Sequence, residues 1–146
     1  MKYTTELTIR LPRERVVALF DDPANLAKWQ KGLKSMEPLS GTPGTEGAKT
    51  RLVYDEGGRE MVLVETLLTY DLPDAYFALY EARGVKNRST NRFYATEDNQ
   101  TRWVQENEFK FSGLMAVAAL FMRGAFPKQT RKDMGRFKNF AEYADR

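Results

Sequence analysis

A chain of 146 residues is sized for one domain, and with 42% hydrophobic and 12% aromatic residues it is globular rather than disordered. It contains no cysteine and no histidine, which excludes disulfides, thiolate chemistry, the commonest general base and the commonest metal ligand. A net charge of +3 permits an acidic partner without requiring one, and any metal site would rest on carboxylates alone.

Tyr3 to Leu11 alternates, with Leu7, Ile9 and Leu11 on one face and Thr8 and Arg10 on the other, which predicts a strand. The polar start lacks the apolar run of a signal peptide, and the longest apolar stretch, Leu114 to Met122, is too short to span a bilayer. Together they point to the cytoplasm. Pro12 opens a short helix whose apolar stripe is Val16, Val17, Leu19 and Phe20. Asp22 caps a second short helix, with Pro23 at its first position, and the helix runs to about Trp29 before Lys31-Gly32 ends it. Trp29 reads either as the anchor of that helix in the core or as a lid over a cavity mouth.

Leu33 to Leu39 is the next strand, followed by a loop through Gly41 and Gly44. Lys49 to Tyr54 and Glu60 to Tyr70 flank Gly57-Gly58, a hairpin signal. Ala75 to Ala82, Lys86 to Thr96 and Thr101 to Phe111 complete a meander with short turns. Such a run must curl, and the helical segment from Gly113 to about Ala144 is the only element long enough to cover its concave face. Two stripes mark that segment: Leu114, Val117, Ala118, Phe121 and Ala125, then Thr130, Met134, Phe137, Ala141 and Ala144. Pro127, with Gly124 three residues before it, predicts a kink near Gly124 to Pro127 or two helices in sequence.

Strand parity assigns the walls. On Thr101 to Phe111, Trp103, Gln105, Asn107, Phe109 and Phe111 face in, and Arg102, Val104, Glu106, Glu108 and Lys110 face water. A two-residue Gly57-Gly58 turn pairs Tyr54 with Met61, Leu52 with Leu63 and Thr50 with Glu65, bringing a carboxylate to the inner face or its rim. A three-residue turn at Asp98 to Gln100 sets Asn91 beside Asn107 and Phe93 beside Gln105, all facing in.

In the order of these elements the chain resembles the START/Bet v1-like (SRPBCC) superfamily, in its polyketide cyclase/dehydrase-like branch. The carriers are the opening strand with Pro12 to Asp22, the stretch Asp22 to Trp29, the Gly57-Gly58 hairpin, Thr101-Arg102-Trp103 and the tail Lys132 to Glu142. The resemblance implies an α+β helix-grip fold spanning residues 1–146 as one domain. In that fold a curved antiparallel seven-stranded sheet grips the C-terminal helix, two short helices follow strand 1, and an elongated cavity lies between. Members bind lipids, sterols, polyketides or plant hormones, and some are cyclases. No catalytic motif is common to them, so none is carried over.

The expected function is binding or carriage of a small hydrophobic molecule between sheet and helix, with no cofactor, metal or nucleic acid. The sheet side would offer Leu52, Tyr54, Met61, Leu63, Trp103 and Phe109, and the helix side Phe121, Met134 and Phe137. Glu65, Asn91, Gln105 and Asn107 would orient a ligand's polar groups. Two alternatives stand beside it. A cyclase- or hydrolase-type enzyme would use Glu65, Tyr54 or Tyr80, or Arg and Lys residues at the mouth, although the missing His and Cys weigh against catalysis. A module for a membrane surface or a partner protein would use Arg123, Lys128, Arg131, Lys132, Arg136 and Lys138, opposed in that segment by Asp133, Glu142 and Asp145. Homodimerisation is left open.

Overall fold

The computed structural model describes residues 1–144, so Asp145 lies outside the described residues. Its first strand, β1 (Lys2–Ile9), leads into α1 (Arg13–Asp21). A 3-10 turn at Pro23–Asn25 then feeds α2 (Leu26–Trp29). Asp22 performs the expected cap, its Oδ1 accepting from the Ala24 amide at 3.0 Å. Six strands follow in unbroken meander: β2 (Leu33–Ser40), β3 (Lys49–Glu56), β4 (Arg59–Asp71), β5 (Ala75–Ala82), β6 (Val85–Ala95) and β7 (Thr101–Phe111). β1 pairs with β7, so the single antiparallel sheet runs β1-β7-β6-β5-β4-β3-β2. Bulges at Leu67/Thr69 and in the β2–β3 pairing help it bend. Two helices close the described chain, α3 (Leu114–Phe121) and α4 (Ala125–Ala144). This is the helix-grip α+β fold.

Turn chemistry sets the register. Gly57 and Gly58 have φ of 60° and 80°, the two left-handed positions that a tight hairpin turn demands. Tyr54 therefore pairs with Met61, Leu52 with Leu63 and Thr50 with Glu65, as parity predicts. The β6–β7 turn differs from expectation. It holds Thr96 to Gln100, closed by Thr96 N–H donating to the Gln100 carbonyl at 2.9 Å and by Gln100 N–H donating to Thr96 Oγ1 at 3.0 Å. The hydroxyl of Thr96 thus competes for a turn donor, which the three-residue reading overlooks. Two extra residues preserve parity, so Asn91 sits opposite Gln105 and Phe93 opposite Trp103, still on the inner face.

The helical segment is two helices in sequence, the second of the two expectations, with the break at residues 122–124. α3 ends at Phe121 and α4 begins at Ala125, which leaves Pro127 in the first turn of α4, where a missing N–H costs nothing. The gripping helix is α4 alone, 20 residues and about 30 Å long. Its stripe Met134, Phe137, Ala141 is buried against Ile9, Leu11, Val16, Leu19, Phe93 and Trp103. The α3 stripe behaves otherwise: Leu114 is 89% exposed and Phe121 86%. At the far end of α4, Glu142 accepts from the Arg10 amide at 2.9 Å and from its guanidinium at 3.2 and 2.9 Å, tying the helix to the end of β1.

Candidate functional site

Following the pairings across the sheet, the inner face divides into rungs of unlike chemistry. One rung runs Phe93, Trp103, Leu7, and it is apolar. The next runs Tyr70, Tyr76, Asn91, Gln105, Thr5. The third runs Leu67, Ala78, Ser89, Asn107, Tyr3, and the fourth Thr50, Glu65, Tyr80, Asn87, Phe109. A polar band three rungs wide thus crosses the concave face.

The apolar rung is sealed. Phe20 of α1 drops onto it with ring centroids 5.1 Å from Phe93, 5.7 Å from Trp103 and 5.6 Å from Phe137. Trp29 packs 5.1 Å from Phe137, so it anchors α2 in the core, the first of its two readings. Trp103, Met134 and Phe137 are at most 2% exposed. These three fill the interior and border no open space, contrary to the lining role expected of them.

The polar band is organised by amides. Asn91 Oδ1 accepts from Trp103 Nε1 at 2.9 Å and from Gln105 Nε2 at 2.8 Å. Gln105 Oε1 accepts from Asn107 Nδ2 at 2.9 Å, and Asn107 Oδ1 from Asn87 Nδ2 at 3.1 Å. The chain ends at Asn87 Oδ1, which accepts no hydrogen bond among the described residues. Sequence reasoning found Asn91, Gln105 and Asn107 but passed over Asn87. Its signal was available, since Asn87 and Asn91 share parity.

Glu65 stands beside this chain with Tyr80 as its hydrogen-bonding neighbour, and no lysine or arginine among the described residues pairs with it. Burial pushes its carboxyl above the usual carboxylate range, and the Tyr80 hydroxyl partly offsets this. Burial, followed by the charge of Glu65, drives the Tyr54, Tyr76 and Tyr80 phenols upward, so all three are neutral donors at any ordinary pH. Asp133, on α4, is also pushed up by burial. Tyr54 donates to Gln30 Oε1 at 2.5 Å, linking β3 to the end of α2.

α4 runs along β1 and α2 and leaves the β3–β5 side of the concave face less covered. Tyr54, Leu63, Glu65, Tyr76, Tyr80, Gln105 and Phe109 are accordingly half-buried, whereas Leu52, Asn91 and Asn107 beneath them are buried. Met61 is 44% exposed at the rim. Phe121 stands apart on α3 and does not close the helix side with Met134 and Phe137. The arrangement is a trough with a polar floor, an aromatic head and an open flank. Two hollows of about 510 and about 300 Å³ lie elsewhere, one between Trp29 and Phe140, the other between Val85 and Phe111, and none of the expected lining residues borders either. Among the described residues no group of three or more acidic side chains could hold a metal ion, and no helix is long and apolar enough to cross a membrane.

A curved antiparallel sheet gripping one terminal helix is the fold of START/Bet v1-like proteins. The chain belongs to the family described as polyketide cyclase/dehydrase and lipid transport, which it matches over residues 1–142. Its fold is similar to that of the Zhui aromatase/cyclase from Streptomyces sp. R1128, with a TM-score of 0.82 at 15% identity, covering 100% of this chain and 96% of that one. A protein of Thermus thermophilus is similar at 17% identity and TM-score 0.78, covering 100% of both chains. Ara h 8.0201 is similar at 12% identity and TM-score 0.74, covering 97% of both. Among curated proteins no relative is found by sequence.

Proposed function

We propose that this chain binds a small, largely apolar molecule carrying a few hydroxyl or carbonyl groups, laid along the trough between the sheet and α4. The polar band is the observation that carries this reading. A sheet face meant only for packing gains nothing from Asn87, Asn91, Gln105, Asn107 and Glu65 on adjacent inner rungs. Leu63, Tyr54 and Phe109 would receive the apolar body, with burial contributing roughly 25 cal/mol per Å² before association costs. Asn87, Glu65 and Tyr80 would meet its polar groups. The family's description, with cyclases and lipid transport together, supports a ligand of this kind.

Glu65 favours a second reading, an enzyme of cyclase type. A carboxyl raised by burial beside the Tyr80 hydroxyl is suited to moving a proton. Titration with 1-anilinonaphthalene-8-sulfonate tests the primary reading. Leu63→Arg, set in the half-buried part of the trough, should abolish probe binding with the melting curve retained, while Glu65→Gln should change which probes bind more than how tightly apolar ones do. Undiminished binding to Leu63→Arg would place the site elsewhere. Native mass spectrometry of the purified protein then identifies what it carries.

A further inference from the structure

Helix α3 has the sequence LMAVAALF, without one polar side chain. A helix apolar on every side is ordinarily found inside a protein or in a membrane. This one is not inside: Leu114 is 89% exposed, Val117 56%, Leu120 62% and Phe121 86%, and only Ala119 is buried. The neighbouring Met122 is 51% exposed. Leaving so many large apolar side chains adjacent and wet is costly, and such patches mark interaction sites. At about 1.5 Å per residue, the eight residues reach about 12 Å, far short of a bilayer's hydrocarbon core.

Along the chain, the charges flanking α3 are all of one sign. No aspartate or glutamate lies between Glu108 and Asp133, whereas Lys110, Arg123, Lys128, Arg131 and Lys132 do. None of these five has an ion-pair partner among the described residues. The β5–β6 turn adds to them. A side chain at Gly84 would meet Met115 Cγ at 2.9 Å, so this turn abuts the start of α3, and it carries Arg83. Between Glu81 and Glu97 there is again no acidic residue.

We propose that α3 docks on the surface of an anionic lipid bilayer, its apolar side chains entering the headgroup region and the surrounding lysines and arginines meeting the lipid charge. Interfacial helices combine the same two contributions, apolar insertion and attraction to anionic lipid. A second copy of this chain is a poor occupant, because face-to-face pairing would set the unpaired cations of one copy against those of the other. A projecting helix exposed on so many sides also suits a deformable phase better than a rigid groove. This inference stands apart from the ligand reading, which is measured without lipid.

Co-sedimentation with vesicles of phosphatidylcholine, with and without phosphatidylserine, tests it. The protein should pellet with the phosphatidylserine vesicles and be released by raised salt. Phe121→Asp should lower its partition by at least about tenfold, since insertion of one large apolar side chain is lost. Arg123→Glu should weaken binding to the anionic vesicles only. Both positions are exposed, so the melting curve should not move. In Leu120→Trp, indole emission should shift to the blue on adding anionic vesicles. Equal partition of the protein and Phe121→Asp on both vesicles overturns the proposal. So does a dimer in light scattering that Phe121→Asp dissolves while no vesicle binding is seen.

Discussion

Phe20 decides whether the aromatic head of the trough is a plug. Its ring lies 5.1 Å from Phe93, 5.5 Å from Tyr76, 5.6 Å from Phe137, 5.7 Å from Trp103 and 6.3 Å from Trp29, measured between centroids. Phe20→Ala removes the shared member of all five contacts. A buried Phe→Ala change costs about 3–5 kcal/mol, and Phe20 is half-buried, so the lower end, about 3 kcal/mol, applies. At about 2.1 cal/mol/K per residue, the unfolding entropy of this chain is about 0.3 kcal/mol/K, and the melting temperature should fall by about 10 °C. Scanning calorimetry reads this directly. The ring's departure also leaves an apolar void beside the Asn91 rung, so indole should bind the variant and recover part of the loss by mass action, while leaving the parent protein unchanged. A fall under about 3 °C without indole rescue would show that the head is not held by Phe20, and the division into plug and trough would be wrong.

Asn91→Ala should cost about 1–3 kcal/mol, because the buried Trp103 Nε1–H loses its acceptor; urea titration should show a lower midpoint with an unchanged slope. Arg10→Ala tests the far end of α4. Burial raises the Glu142 carboxyl, but the Arg10 hydrogen bonds and the Lys138 and Arg10 charges outweigh it and hold it below its usual range. That stabilisation is present above the ordinary carboxylate value and lost as pH falls through the folded one, so the gap between parent and variant should be widest near neutrality and close in acid. Glu65 carries the opposite sign. Its raised carboxyl leaves the fold without penalty in acid and imposes one as pH climbs from the ordinary value through the folded one. Glu65→Gln should therefore be the more stable protein above that window and equal to the parent below it, as melts across pH will show.

Much of this fold was legible because its determinants are local. Gly57-Gly58 fixes one register, parity fixes the inner row of β7, and the spacing of Met134, Phe137 and Ala141 fixes the buried stripe of α4. The parts that escaped depend on tertiary choices. Periodicity finds an apolar face on 114–125 but cannot tell whether the sheet has a surface left to receive it, and α4 and α1 already fill the head. Equally, an inward residue is not yet a lining residue. Trp103 and Leu63 share the inner face, yet Phe20 covers one and α4 leaves the other half open, and neither fact is written in their own strands. The amide chain was half visible, since Asn91, Gln105 and Asn107 follow from parity. That Asn87 faces inward follows from the same parity, but which amide it meets needed the true length of the Thr96 to Gln100 turn, because that turn decides which residues stand opposite one another.

The energetics of that amide chain point the same way as its geometry. Three of its links are satisfied one by the next, so within the fold they cost little and add little. Apolar side chains at the same positions would pack the trough more simply and with less desolvation. What the amides add is direction. Asn91 is fixed by Trp103, Gln105 by Asn91, Asn107 by Gln105 and Asn87 by Asn107, so the acceptor at the open end points one way before any ligand arrives. Glu65 and Tyr80 occupy the same rung as Asn87, with Tyr80 opposite both. A carboxyl, a phenol and an amide oxygen are therefore held together on the half-open flank, and their orientation is set from the buried core outward. On the proposed reading, a ligand that meets them would lose little of its affinity to ordering the protein, which is the advantage of a preorganised floor over a flexible one.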